Sequence, residues 1–586
     1  MHTGPITSVI FKDEETIYTG GYDKQIFKWN ILNGSSKLLG AHNHLVNSLA
    51  LSNSKKYLAS ASSDYSIAIY DLNTDTLINT LYGHSDDVEA VSFSVDEKLL
   101  ISTSRDARCL VWDLNTGKII NEYKEHEKDV LAVWVNHNYA FTTGDDGRVL
   151  VWEILTGKTV NELGPFNCEI DTITGNLKQN LIALGMDNGD ILLFDANSLK
   201  LLKSIKGHKQ GVKKVSFSES GNYILTAGYD HLIRIWRTND LKHIIDLEQY
   251  KYQWERSLVW SDDETTIYGA SFGNTYCEWS IIDGKLKNKE IKRATPSIND
   301  FAIAKNEIIM TASDDGILRS NGVEIATSDG VLTNAVGTSY NAEFVAWGDH
   351  AGKIHLITQS QKGIQKKEFD LNTGPINSIF YDENGEKFYV GTYGGYVHEL
   401  STVSKEVEEK YKMHSGAVKA VQANKDYIVS VSSDASIKVI SKQNRDTYQL
   451  YGPNAIINDL YLDPKGDTFV LVSRDKVVRL YDIKTGKILG QHNKHKYSIK
   501  SVTMNGNGVV YSGDYWGYCV KWDINTNIVS SSFKVSTNGL SAFRVIDNQV
   551  YCSSYDGAIY KITDEDYTEA LRLFTQNKVL VKECSK

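Results

Sequence analysis

GHSDDVEAVSFSVDEKLLISTSRDARCLVWDLNTG, residues Gly83 to Gly117, reads as one complete structural unit. Its stretches VEAVSF, LLISTS and CLVWDL alternate with period two, the pattern of β-strands. Short turn signals, often Asp-Gly or Asn-Gly in the other copies, separate the strands. The unit is therefore a small antiparallel meander. A meander of this size cannot bury its apolar faces alone and must stack on its neighbours.

The unit recurs fourteen times along the 586 residues. A branched apolar residue opening the first strand sets the register. It falls at Val46, Val88, Val130, Ile170 and Val212, spaced 42, 42, 40 and 42 residues apart, and again at Ile376, Val418, Ile457 and Ile499, spaced 42, 39 and 42 apart. Function is accordingly to be sought on repeated surfaces rather than at one catalytic motif.

Four copies carry a further set: His2, Thr19, Asp23 and Trp29; His84, Ser102, Asp106 and Trp112; His126, Thr142, Asp146 and Trp152; His208, Thr226, Asp230 and Trp236. Another copy keeps His42, Ser60 and Asp64 with Tyr70 at the Trp position. This pattern resembles the WD-repeat family of β-propellers, and the resemblance covers nearly the whole chain. It implies an all-β fold of two tandem seven-bladed β-propellers with fourteen four-stranded blades, because fourteen units exceed the roughly four to eight blades of one ring. The division falls at residues 1–290 and 291–586, and no Pro/Gly/Ser-rich linker marks it, which predicts rings set close together at a fairly fixed angle. The second ring has drifted further: His414, Ser430 and Asp434 are followed by Ile440, and His495, Ser512 and Trp522 go with Trp516 where Asp is usual.

The repeated His, Ser/Thr, Asp and Trp read as a buried relay in which Asp accepts from imidazole while the hydroxyl and the indole N–H complete the bonding. An unsatisfied buried member costs about 1–3 kcal/mol. A Ser-His-Asp nucleophile is the competing reading, and repetition argues against it: catalysis needs one exposed constellation beside an oxyanion site. Many family members close a ring with a strand from the far end of the chain, whereas this chain enters directly at the first strand of its first blade. At the other end, LRLF from Leu571 reads as the last outer strand and KVLV from Lys578 as an additional one. The alternative is a short helix capped by Thr563.

Composition bounds the remaining functions. With 41% hydrophobic and 10% aromatic residues the chain suits a soluble globular protein. It shows no apolar run of the ~20 residues that span a bilayer and no signal sequence, so no membrane insertion and a cytoplasmic location are expected. The six cysteines, Cys109, Cys168, Cys277, Cys519, Cys552 and Cys584, form no pair with metal or redox spacing. His492 and His495 lack a carboxylate or thiol companion, so no metal and no cofactor is expected. TGKT at Thr156 to Thr159 lacks the upstream glycine of a phosphate loop, and the same string recurs in turns at Asn115 and Lys484. A net charge of −10 opposes nucleic-acid binding. The basic stretch KLKNKEIKR from Lys285 reads as protection of an outer strand against edge pairing.

The residue just before each turn Asp, or its aligned replacement, is the sharper functional position. In the geometry that the family implies, it lies near the top opening of a ring. The first ring gives Tyr22, Ser63, Arg105, Asp145, Asp187, Tyr229 and Phe272, with an aromatic group of Tyr229, Phe272 and Tyr22 opposite Arg105, which is expected beside Asp145 and Asp187. The second gives Asp314, His350, Tyr393, Ser433, Arg474, Tyr515 and Tyr555. Aromatic residues beside Arg and a charged rim compose a binding hot spot. The bland alternative is that the tyrosines only cover the channel.

These features point to a non-enzymatic scaffold or regulatory subunit with protein partners. The tandem arrangement also resembles actin-interacting proteins that assist cofilin in taking filaments apart, apart from the leading segment those proteins generally carry. An enzyme with a channel-mouth site built on His350 or nearby carboxylates is the alternative of another class.

Overall fold

The computed structural model describes residues 1–249, 257–271, 273–288, 294–328, 331–360, 363–464, 466–563 and 566–573. The chain divides into two compact units, Met1–Ala294 and Thr295–Lys586. Seven antiparallel sheets lie in each. Twelve of the fourteen have four strands in chain order, as in the first: Ile6–Asp13, Thr16–Gly21, Gln25–Asn30 and Ser36–Ala41. The sheet from Leu258 to Ser280 has three strands among the described residues, supplemented by a bridge between Trp279 and Leu286. In the sheet opened by Ile499 the outer strand is broken into Ile528–Val529 and Phe533–Lys534.

The first strand of each sheet neighbours the first strands of the sheets before and after it, so each unit is a closed seven-bladed propeller. The second strands are the most buried, as in Leu99–Ser104, and the fourth the most exposed, as in Thr159–Leu163. The residues that set the sequence register are fully buried: Val46, Val88, Val130, Ile170, Val212, Ile376, Val418, Ile457 and Ile499 are each 0% exposed. Each packs against the second strand of the preceding blade, and four of them, Val46, Val212, Ile376 and Val418, face a glycine there. A Cβ on Gly20 would lie 2.5 Å from Val46 Cγ1, and one on Gly348 2.2 Å from Ile376 Cγ2.

Among the described residues every blade is built from one continuous stretch of chain, and the rings close through inner-strand contacts. In the first unit Ile6 N–H donates to Ser271 O (2.9 Å) and Val9 N–H to Ser257 Oγ (3.2 Å). In the second, Ser541 Oγ donates to Ile298 O (2.5 Å). The last outer strand is Tyr567–Arg572, paired with Ala558–Ile562. It begins four residues before LRLF and replaces the helix alternative, while KVLV lies outside the described residues. In the basic stretch, Lys287 pairs with Glu278 (3.1 Å).

The buried relay has the bonding that its chemistry demands. In the blade of Gly83–Gly117, Trp112 Nε1–H donates to Ser102 Oγ (2.8 Å); Ser102 Oγ meets His84 Nε2 (2.7 Å), and His84 Nδ1 meets Asp106 Oδ2 (3.0 Å). A neutral imidazole with its proton on Nδ1 satisfies all three contacts at once. Burial opposes ionisation of Asp230, yet the His208 contact and backbone N–H groups lower its pKa to about 2.

The drifted blade of the second unit needs a correction. Trp516 stands where Asp is usual, but the carboxylate is not lost: Asp514, the last residue of strand Val509–Asp514, meets His495 Nδ1 at 3.1 Å while Ser512 Oγ meets Nε2 at 2.8 Å. The indole of Trp522 donates instead to Asn527 Oδ1 (3.1 Å).

Replacing Ser102, which is 0% exposed, strands both the indole N–H and the imidazole. Ser102→Ala is expected to cost about 1–3 kcal/mol. Chemical denaturation monitored by Trp fluorescence measures this; an unchanged midpoint would show that the relay contributes nothing to stability.

Candidate interaction surface

Thirteen of the fourteen rim positions share one backbone hydrogen bond. Each is the residue just after the second strand, and its N–H donates to a carbonyl just before the first strand of the same blade. Examples are Tyr22 to Pro5 O (2.8 Å), Arg105 to Asp87 O (3.0 Å), Tyr229 to Gly211 O (2.9 Å), Tyr393 to Pro375 O (2.9 Å) and Tyr555 to Gly539 O (3.0 Å). Asp145, Asp187, His350, Arg474 and Tyr515 are held in the same way. Phe272 lies outside the described residues, so the expected grouping of Tyr229, Phe272 and Tyr22 has no described centre. Ser63, 3% exposed, and Asp314, 4% exposed, are turned inward, and Ser433 Oγ accepts from Ala417 N–H (2.9 Å).

Below this rim, the pairing of first and second strands breaks register at the second residue of the first strand. The break recurs in both units, for example between Val46 and Ser48, Ile170 and Thr172, Val212 and Lys214, Val418 and Ala420, and Ile499 and Ser501. Such a bulge leaves one residue out of the ladder and re-aims its side chain. The skipped residues include Asn47, Asp171, Lys213, Lys419 and Lys500. They form a second tier of functional groups, which the sequence reading missed although each directly follows a register residue.

In the first unit the two tiers make an acidic mouth. Arg105 Nε donates to Glu89, and its guanidinium lies 3.7 Å from Asp129 and 3.8 Å from Asp87. Its direct partner is thus Glu89 rather than Asp145 or Asp187. Lys213 Nζ pairs with Asp171 Oδ2 (2.6 Å) and lies 4.6 Å from the centre of the Tyr229 ring. Carboxylates remain in excess. Desolvation first, then Glu169 and Asp129, raise Asp145 to about 8. Glu169 and Asp187 keep accessible surface yet sit among crowded protein atoms; desolvation and neighbouring carboxylates raise Glu169 to about 6 and raise Asp187 as well.

The mouth of the second unit is aromatic and cationic. The rings of His350 and Tyr393 meet edge-on at 5.6 Å, Asn334 Nδ2 lies 3.2 Å from His350 Nδ1, and Lys419 Nζ is 5.3 Å from the Tyr393 ring centre. Tyr515 and Tyr555 stack at 6.5 Å. Deeper in, Arg544 pairs with Asp300 (2.5 Å), and burial raises Asp459 to about 6 against the opposing pull of Arg544 and two backbone N–H groups.

Comparison with known proteins agrees with this geometry. The family model described as "WD domain, G-beta repeat" matches residues 34–71, 75–113, 117–153 and 199–237. These matched repeats support a WD-repeat β-propeller. It is similar to Autophagy-related protein 16 of Arabidopsis thaliana, with 25% identity over 292 residues, 49% of each chain. It is also similar to WD repeat-containing protein 1 of Xenopus tropicalis, 22% identical over 424 residues (69% of this chain, 64% of the relative), and to that of Gallus gallus, 25% identical over 402 residues (64% and 59%). The chain thus spans between about half and under two thirds of these relatives. Proteins of this family bind other proteins and are generally non-enzymatic scaffolds.

The raised Asp145 makes the stability of the first unit depend on pH. Its carboxyl holds a proton in the folded state that the unfolded chain releases, so stability falls as pH rises from the ordinary carboxylate range to about 8. Asp145→Asn is expected to raise the melting temperature at about pH 8 and to leave it nearly unchanged at about pH 4. Thermal melts at the two pH values check this; equal shifts at both would sink the assignment.

Proposed function

We propose that this chain is a non-enzymatic cytoplasmic scaffold or regulatory subunit that presents two rigid propeller faces to protein partners. The carrying observation is the shared backbone bond of the rim: one fixed main-chain position holds Tyr, Arg, Asp or His in turn. Invariant backbone geometry with varied side chains suits recognition, since preorganised anchors lose little entropy on binding. Tyr22 and Tyr229 in the first unit, and Tyr393, Tyr515 and Tyr555 in the second, are the anchors; Arg105, Asp145, Asp187, His350 and Arg474 supply charge and polarity around them. His350 serves as an aromatic wall beside Tyr393.

The second reading is an actin- and cofilin-binding factor in filament disassembly. The observation favouring it is that the similarity to WD repeat-containing protein 1 of Xenopus tropicalis extends over 69% of this chain, more than either unit holds. A likeness of that length reaches into both units, which supports this reading. Co-sedimentation with actin filaments, with and without cofilin, separates the readings: pelleting that depends on cofilin supports the second, and its absence leaves the general scaffold.

For the scaffold itself, Tyr22→Ala with Tyr229→Ala, and separately Tyr515→Ala with Tyr555→Ala, are expected to weaken capture of rim-bound partners by about 2 kcal/mol or more. Affinity purification from the native cell with quantification of co-purifying proteins measures this. Undiminished capture by two well-folded double variants removes the rim from the binding surface.

A further inference from the structure

In the second unit the skipped residues of the inner strands form a nearly continuous belt. Asn299 Nδ2 donates to Thr333 O (2.9 Å), Asn334 Nδ2 to Ile376 O (3.1 Å), Asn377 Nδ2 to Val418 O (2.9 Å) and Asn458 Nδ2 to Ile499 O (2.6 Å), each linking a blade to the next. Ser541 completes the circuit to Ile298. At the two remaining positions stand Lys419 and Lys500. A neutral amide would serve the belt there, so these two blades have exchanged a short bridging side chain for a long cation.

Lys500 is the sharper of the two. It is only partly exposed and lies within electrostatic reach of Tyr555, Tyr515, Asp459 and Tyr393, which come from four different blades. Among the described residues it forms no salt bridge. The acid nearest to that role, Asp459, is engaged elsewhere: its two oxygens accept from Leu460 N–H (2.9 Å) and Val502 N–H (3.0 Å). The contrast with the first unit is direct, because there the skipped Asp171 and Lys213 neutralise each other at 2.6 Å. The tyrosines and Asp459 around Lys500 outweigh desolvation and hold it above the ordinary lysine range, so it stands as a cation with no carboxylate at ion-pair distance among the described residues, a place that an incoming anion fills.

We propose that the mouth of the second unit binds an acidic segment of a partner polypeptide, whose carboxylates enter between Lys500 and Lys419 and meet the hydroxyl edges of Tyr393, Tyr515 and Tyr555. The proposal rests on the scaffold reading and gives it a charge. The tyrosines suit this ligand because a phenol O–H donates to a carboxylate while its ring packs on the segment's aliphatic stems. The acidic mouth of the first unit repels the same ligand, so the two faces select differently charged partners.

The test uses the full chain and a short fluorescein-labelled poly-glutamate peptide, read by fluorescence anisotropy, with poly-lysine peptide and inorganic phosphate as competitors. Poly-glutamate is expected to bind in a salt-dependent way. Lys500→Met is expected to weaken it by about tenfold or more, whereas Lys500→Arg, which keeps the charge, holds it within about threefold. Thermal melts of both variants establish folding. The proposal is overturned by absence of binding to the wild type, by equal binding to folded Lys500→Met, or by full displacement with phosphate, which would mark a small-anion site. If poly-glutamate fails while Tyr515→Ala with Tyr555→Ala still loses captured partners, the scaffold reading stands and the charge assignment alone falls.

Discussion

The contact between the branched side chain opening each inner strand and the second strand of the preceding blade sets the geometry of both rings. Val46 against Gly20 and Ile376 against Gly348 leave no room for a single added methyl group. Because every blade makes this contact in both directions, it sets the distance between blades, and seven repeats bring the last inner strand back to the first. Burial of these residues is also the main favourable term, as expected for apolar surface withdrawn from water in a stack of small sheets. The bulge next to this contact is its structural partner: the strand is anchored at the register residue, and the residue after it is released from the ladder. Rim and belt therefore inherit their positions from the core rather than from any interaction of their own.

The polar interior shows how one physical demand admits several chemical answers. An Asp in the turn between second and third strands must be satisfied, and in the regular blades a histidine does so. Two blades of the second unit use arginine instead. Arg319 donates to Ser313 Oγ (2.9 Å) and Asp315 Oδ2 (2.6 Å), and Arg479 repeats this with Ser473 Oγ (3.2 Å) and Asp475 Oδ2 (2.6 Å). Another moves the carboxylate onto the strand, where Asp349 meets His355 Nε2 at 2.9 Å. What looks like decay of a pattern is repeated replacement under a fixed requirement, because a buried charge without a partner is penalised whatever the residue type.

This explains which parts of the molecule were legible in the amino-acid sequence. The fold was, since the residues at 42-residue spacing are the ones whose burial the ring requires. The rim positions were reached through the turn Asp, a local signal. Asp514 was not, because its carboxylate reaches His495 from a place two residues away from the aligned one, and alignment by position cannot see a substitution by geometry. Lys213, Lys419 and Lys500 escaped for a related reason. Strand alternation assigns a residue to one face or the other, whereas a bulge suspends that rule for one residue. The pairing of Arg105 with Glu89 belongs to the same class: Glu89 follows Val88 and was read as part of an ordinary strand.

The rims also show that these surfaces are not products of stability alone. Crowding Asp145, Glu169 and Asp187 raises their pKa values and so works against the folded state at neutral pH. Lys500, placed where asparagine would bridge two blades, gives up a hydrogen bond that four other blades make. Neither feature is required by the ring, whose closure is secured by apolar packing and by the neutral positions of the same belt. Crowded carboxylates in one mouth and an unbridged lysine in the other, both on a rigid frame, are characteristic of sites whose charge is completed by something outside the chain. The opposite character of the two mouths then has a simple physical meaning. The core fixes the same positions in both rings, and the charge placed on those positions is the variable through which each ring selects what it binds.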